Sequence, residues 1–269
     1  MNCQLMGILN VTPDSFSDGG MFFSRNAAVQ RGVQMMEEGA DIIDVGGEST
    51  RPGAAPIELE EEINRTIPVV HELSKMGIPV SIDTYKAEVA RMAMDAGGKM
   101  INDVTAGSDP RMVLLAAEYS ASVCFMHMKG TPRTMQKDPQ YGDVVAEVKD
   151  YLVQRCQKLI DLKIPKDRIF IDPGIGFGKT YTHNLELIAR FEELSQTGFA
   201  TLIGVSRKSF IGRILSGSSD AGSVEERLEG TLIAQSICQQ KGARMIRAHD
   251  VIQARRAMKF VDALMQVAG

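Results

Sequence analysis

The residues in this sequence best suited to chemistry stand singly, each at or just beyond the end of a short apolar run. In chain order they are Asn10, Asp44 with Glu48, Asp83, Asn102 with Asp103, His127, Asp172, Arg207 with Lys208, and Arg247 with His249. Any one of them reads equally well as an ordinary strand cap or loop starter. The set says more, because Asp83, Asn102 and Asp172 close apolar runs, where a carboxylate is costly to bury unless a ligand or neighbour satisfies it. No Ser-His-Asp or Cys-His arrangement is evident among them.

Two patterns suggest other chemistry and fail on inspection. Pro-Gly-Ile-Gly-Phe-Gly-Lys-Thr, residues 173–180, ends like a phosphate loop, but a Walker A loop needs glycine where Pro173 stands, and the dinucleotide fingerprint belongs to the first βα turn of its unit. Glycines 174, 176 and 178 fit a tight turn beside a flat ligand better. The histidines make no metal cluster, since His71 falls mid-helix, His127 and His183 follow different strands, and only His249 has cationic neighbours. Met126 and Met128, flanking His127, are ordinary core filler or could pack on a heteroaromatic ring.

Positioning such residues together requires elements that end on one face. Apolar runs alternate with amphipathic segments from end to end, which predicts repeated βα units around a parallel sheet. Eight strands are expected: 4–10, 41–45, 80–83, 100–102, 122–127, 169–172, 201–205 and 245–247. Ile63, Ile67, Val70 and Leu73 recur at helical spacing before Gly77, and Val29, Val33 and Met36 do so before Gly39. The expected fold is a (β/α)8 TIM barrel occupying residues 1–269 as one domain, with the polar strand ends gathered at the C-terminal face. Residues 216–223 read as a surface loop inside the seventh unit.

Composition agrees with that reading. The 269 residues are 44% hydrophobic with a formal net charge of −4, enough for a large core. Basic residues form no long run, so no nucleic-acid partner is expected. No apolar stretch approaches a membrane span, Met1 leads almost directly into a strand, and Cys3, Cys124, Cys156 and Cys238 lack CxxC or CxxH spacing. Free thiols and a cytoplasmic protein are expected, with no membrane association.

Five segments, in order, resemble dihydropteroate synthase: residues 10–20 (Asn-Val-Thr-Pro-Asp-Ser-Phe-Ser-Asp-Gly-Gly), 46–53 (Gly-Gly-Glu-Ser-Thr-Arg-Pro-Gly), 127–136 (His-Met-Lys-Gly-Thr-Pro-Arg-Thr-Met-Gln), 206–210 (Ser-Arg-Lys-Ser-Phe) and 247–250 (Arg-Ala-His-Asp). The match extends over essentially the whole chain. One departure is that about three residues precede the first strand, where many family members carry extra residues that close the barrel bottom. The resemblance implies condensation of a dihydropterin methyl diphosphate with p-aminobenzoate, the reaction that sulfonamides target, with Mg²⁺ and a homodimer. It implies a pterin site of Asp83, Asn102, Met126, Asp172, Phe177 and Lys208. It implies a diphosphate site of Asn10, Thr50, Arg247 and His249, with Asn10 on Mg²⁺, and a p-aminobenzoate pocket of Phe16, Thr50, Arg51, Pro52 and Ser209. Loops 11–23 and 46–56 are then expected to fold over the mouth once diphosphate anchors them.

A rival reading is a barrel transferring methyl from methyltetrahydrofolate to a corrinoid protein, which shares the Asp and Asn pterin edge but not both loops. A silent folate-binding scaffold is another, and predicts erosion at Arg51, Lys208, Arg247 or His249; all four residues are present. A sugar-phosphate isomerase lacks support because the usual phosphate motif after strands seven and eight is not evident.

Overall fold

In the computed structural model, which describes residues 3–12, 20–49 and 53–268, eight parallel strands follow one another around a closed barrel. They are β1 (Gln4–Asn10), β2 (Ile42–Gly46), β3 (Val80–Asp83), β4 (Met100–Asp103), β5 (Ser122–Met126), β6 (Ile169–Asp172), β7 (Ala200–Ile203) and β8 (Met245–Ala248). Between and after them run α1 (Gly20–Glu37), α2 (Leu59–Lys75), α3 (Ala87–Asp95), α4 (Pro110–Glu118), α5 (Val144–Asp161), α6 (Tyr181–Ala189), α7 (Glu192–Ser195), α8 (Ser209–Ser216), α9 (Leu228–Gln240) and α10 (Val251–Ala268). The expected TIM barrel is therefore found. Helices cover the outside and side chains fill the inside, so strands such as Ile-Phe-Ile-Asp are buried at every position.

Strands β1, β3 and β6 coincide with the sequence reading, and the others differ by one or two residues at one or both ends. Helix α2 buries Val70 and Leu73, packs Ile63 and Ile67 against the same core, and is followed by Gly77 at φ +76°. One boundary needs correction. The loop expected over 11–23 stops sooner, because α1 already begins at Gly20; a glycine at a helix start costs little of what it costs mid-helix.

The barrel has two separate apolar cores. One lies between strands and helices; the other is a closed cluster of Met6, Ile42, Met100, Cys124, Phe170, Leu202 and Met245 inside the barrel. Strand register arranges the inward positions in tiers, even and odd strands alternating. Ile42, Met100, Phe170 and Met245 form the floor, and Met6, Ser81, Cys124 and Leu202 the tier above. Among the described residues, the strands' own side chains fill this lower part of the interior. Two residues further along each even strand, the same period brings Asp44, Asn102, Asp172 and Arg247 inward. On the odd strands it brings Ile8, Asp83, Met126 and Gly204. The interior changes from oil to ions within one tier, and that step positions the site.

Candidate active site

The polar tier is tightly bonded. The Arg247 guanidinium meets Asp44 through Nε at 2.6 Å and Asp83 through Nη2 at 2.7 Å. Asn102 donates its amide N–H to the same Asp44 oxygen, Oδ2, at 3.0 Å, while Asp44 Oδ1 is buried without a partner. Burial raises the Asp83 carboxyl well above the usual range, opposed by Arg247 and reinforced by Asp44. Arg247 is therefore not a free cation awaiting an anion. Two of its donor groups are committed to carboxylates, and only Nη1 takes part in neither pair.

Asp172, on the next even strand, accepts the Gly174 N–H at 2.7 Å, and burial raises its carboxyl although that bond and Lys208 act the other way. Lys208 is the residue immediately before α8; its ammonium donates to the Ile175 carbonyl and lies 4.4 Å from the centre of the Phe177 ring. Burial, outweighing Asp172, lowers its pKa to about 8. Met126 closes β5 and is buried, and Ser209 opens α8 at the surface. The structure thus brings Asp83, Asn102, Met126, Asp172, Phe177, Lys208 and Arg247 to one end of the barrel.

Asn10 ends β1 beside Gly46 on β2. His249 follows β8, where its Nδ1 is 2.9 Å from the Ser206 hydroxyl, which also accepts the His249 backbone N–H at 3.2 Å. The Ser206 hydroxyl thus holds both the backbone and the ring of His249. Phe16, Thr50, Arg51 and Pro52 lie outside the described residues.

Other residues of the strand-end ring serve the scaffold. Asp103 accepts from the N–H groups of Thr105 and Gly107, and Arg207 pairs with Asp250. Glu48 accepts from Tyr85 and Lys86, and Lys86 also bonds Glu62 and the Ile57 carbonyl, which ties both flanks of residues 49–56 to α2 and to the segment between β3 and α3. The phosphate-loop mimic dissolves: Thr180 caps α6 reciprocally with His183, and Lys179 is buried against His127. Sequence reasoning left Asp44 without a role and missed Ser206 and Lys179. A signal existed for Asp44, since it stands inside the apolar run Ile-Ile-Asp-Val-Gly two residues after an inward-facing Ile42.

The pterin binding enzyme family model matches residues 6–249. The dihydropteroate synthase of Escherichia coli K12 is 45% identical over 263 residues, 97% of this chain and 92% of the relative. Among solved structures, the Xanthomonas albilineans dihydropteroate synthase with 4-aminobenzoic acid superposes with a TM-score of 0.89 at 43% identity, covering 98% of this chain and 93% of that one. The same enzyme in complex with 7,8-dihydropteroate gives 0.87 at 40% identity, covering 98% and 94%. With a barrel interior that turns from apolar to ionic at its C-terminal end and matches over nearly its full length, this chain belongs to the pterin-binding enzymes and, within them, to the dihydropteroate synthases.

Proposed function

We infer that this chain condenses (7,8-dihydropterin-6-yl)methyl diphosphate with p-aminobenzoate, giving 7,8-dihydropteroate and diphosphate. The observation that carries this is the interior tier of Asp44, Asn102, Asp172 and Arg247, with Asp83 and Lys208 beside it. An amino-pyrimidinone edge offers adjacent donors and acceptors, which a carboxylate (Asp172) and an amide (Asn102) read together. Lys208 donates to ring acceptors, and Met126 and Phe177 cover the ring. Asp83 and Asp44 hold the Arg247 plane in place.

In the reaction the methylene–oxygen bond breaks, the electron pair leaves with diphosphate, and the pterin shares the positive charge on the methylene. The neutral arylamine forms the new carbon–nitrogen bond and then loses its proton to solvent. His249, held by Ser206, together with Thr50 and the remaining Arg247 edge, stabilises the departing anion. Phe16, Thr50, Arg51 and Pro52 line the p-aminobenzoate pocket, and the Ser209 backbone N–H at the start of α8 meets its carboxylate.

Among the described residues no group of three or more His, Cys, Asp or Glu side chains could hold a metal. One amide oxygen, that of Asn10, suits Mg²⁺, which keeps several waters and binds chiefly through substrate phosphates. When bound, Mg²⁺ screens the charge of the diphosphate. Incubation with both substrates and Mg²⁺, followed by mass analysis, tests the whole reading; absence of dihydropteroate would sink it.

The Lys208 pKa near 8 carries a pH dependence. Its ammonium form dominates below about 8 and is lost above, so pterin affinity is expected to fall as pH rises through that value. Calorimetric titrations between pH 7 and 9 check this, and a flat profile would remove Lys208 from the pterin contacts.

The homodimer finds support in an apolar face on α9 and α10, where Ile233, Phe260 and Leu264 are 59%, 67% and 46% exposed. Phe260→Glu is expected to convert the chain to a monomer in analytical ultracentrifugation, and an unchanged mass would clear this face of the role. No helix among the described residues is long and apolar enough to cross a membrane. Four unpaired cysteines, all buried, support a reducing compartment, the cytoplasm.

A further inference from the structure

Lys179 is a buried lysine with no carboxylate partner among the described residues. It is 2% exposed, and its Nζ is 3.0 Å from His127 Nδ1, 3.0 Å from the Phe177 carbonyl and 3.4 Å from the His127 carbonyl. Three polar atoms thus surround the one amine. Burial, with Lys179 beside it, pushes the His127 imidazole down to about 3, so the ring is neutral; where Lys179 donates, the ring accepts at Nδ1 and carries its proton on Nε2. Burial also holds the Lys179 amine well below the usual lysine range, against the pull of Asp172. Tyr151 packs edge-on to the His127 ring at 5.0 Å and Tyr141 lies tilted at 6.1 Å, fixing its orientation.

The two loops that this lysine joins touch backbone to backbone. A Cβ at Gly174 would stand 1.9 Å from the His127 carbonyl oxygen, and one at Gly178 would stand 2.3 Å from that of Lys129. Both glycines also have positive φ, so no other residue fits. Four consecutive carbonyls, from Ile175 to Gly178, accept in turn from Lys208, Gln136, Lys179 and Tyr141. The segment is held as a template whose side chain toward Lys208 is Phe177. On the other loop, His127 directly follows Met126 and donates its backbone N–H to the Asp172 backbone carbonyl at 3.0 Å.

We propose that Lys179, through the His127 ring and the Phe177 carbonyl, is a positioning residue that sets Met126 and Phe177 in their relation to the pterin plane. This rests on the pterin reading of the site. Lys179 bonds only His127 and the Phe177 carbonyl among the described residues, so its removal should act on pterin affinity and leave the KM of p-aminobenzoate nearly unchanged. Calorimetry with a 6-hydroxymethyl dihydropterin on folded Lys179→Met is expected to show affinity weakened about tenfold or more, as for loss of a buried donor. His127→Phe keeps the ring and removes the acceptor, and should weaken binding similarly, with the double variant no worse than either single one. In the unsubstituted chain, ¹⁵N resonances of His127 should show the proton on Nε2. A purely structural lysine would lower the melting temperature while folded protein kept its pterin affinity. Unchanged affinity in folded Lys179→Met, additive single effects, or a proton on His127 Nδ1 overturns the inference alone, whereas failure of the unsubstituted chain to bind the pterin overturns the site reading as well.

Discussion

Arg247→Met is expected to lower stability by about 3–5 kcal/mol, the usual cost of breaking a buried ion pair from one side. For a chain of this size that is a fall in melting temperature of roughly 6–20 °C. Methionine fills much of the space but leaves Asp44 and Asp83, now 2.6 and 2.7 Å from the guanidinium, as buried anions without a counter-charge. The sign with pH follows from the carboxylates. Asp83 already has a folded-state pKa raised to about 7 by burial, and removing Arg247 raises it further. A raised carboxylate penalises the folded state at neutral pH and ceases to do so once protonated, so the deficit should shrink as pH falls below the folded-state pKa. Thermal unfolding at pH 5 and pH 8 measures this. An equal deficit at both would mean that lost packing, not charge burial, is the cause. Adding Asp83→Asn to the variant should recover part of the stability at pH 8. Turnover should fall about 10²–10³-fold, as when an anion-stabilising donor is removed, and Asp83→Asn should not restore it.

Asp172→Asn separates recognition from folding. An amide can still accept the Gly174 N–H, now at 2.7 Å, but its other end becomes a donor facing the pterin N–H groups. The expected loss of pterin affinity is about 1.5–3 kcal/mol, roughly 10- to 150-fold. Stability should not follow. The Asp172 pKa is raised by burial, so its anion opposes folding at neutral pH, and an uncharged isostere leaves the melting temperature equal or slightly higher. Unchanged affinity would remove Asp172 from the pterin edge, and a large stability loss would recast it as a structural residue.

The strands were legible because a parallel strand covered on both faces is a continuous apolar run, and Val-Ser-Ile-Asp, Met-Ile-Asn-Asp and Ile-Phe-Ile-Asp each announce their own polar end. Gly77 and Gly39 marked helix ends because left-handed backbone favours glycine. The Gly-Lys-Thr segment could be set aside as a phosphate loop from Pro173 alone, but only the structure turns Thr180 into a helix cap and Lys179 inward against His127. Gly20 did mislead, as loop composition at a helix start.

Residue types and their two-residue period are local properties, so the sequence by itself determined the barrel, the face on which its polar ends collect, and the chemistry those ends can offer. Which of them meet is not local. Arg247 reaches Asp44 across 203 residues of chain and Asp83 across 164, and no spacing along the sequence encodes either contact. The stagger of neighbouring strands sets the tiers, so only tertiary structure decided that Asp44 faces inward opposite Arg247, that Asn102 shares its oxygen, and that Ser206 orients His249. The same stagger turned Arg247 from a free anion ligand into the centre of a charge network. Burial in the closed barrel then moved Lys208 down and Asp83 up, because desolvation is a property of the assembled interior and not of the residue.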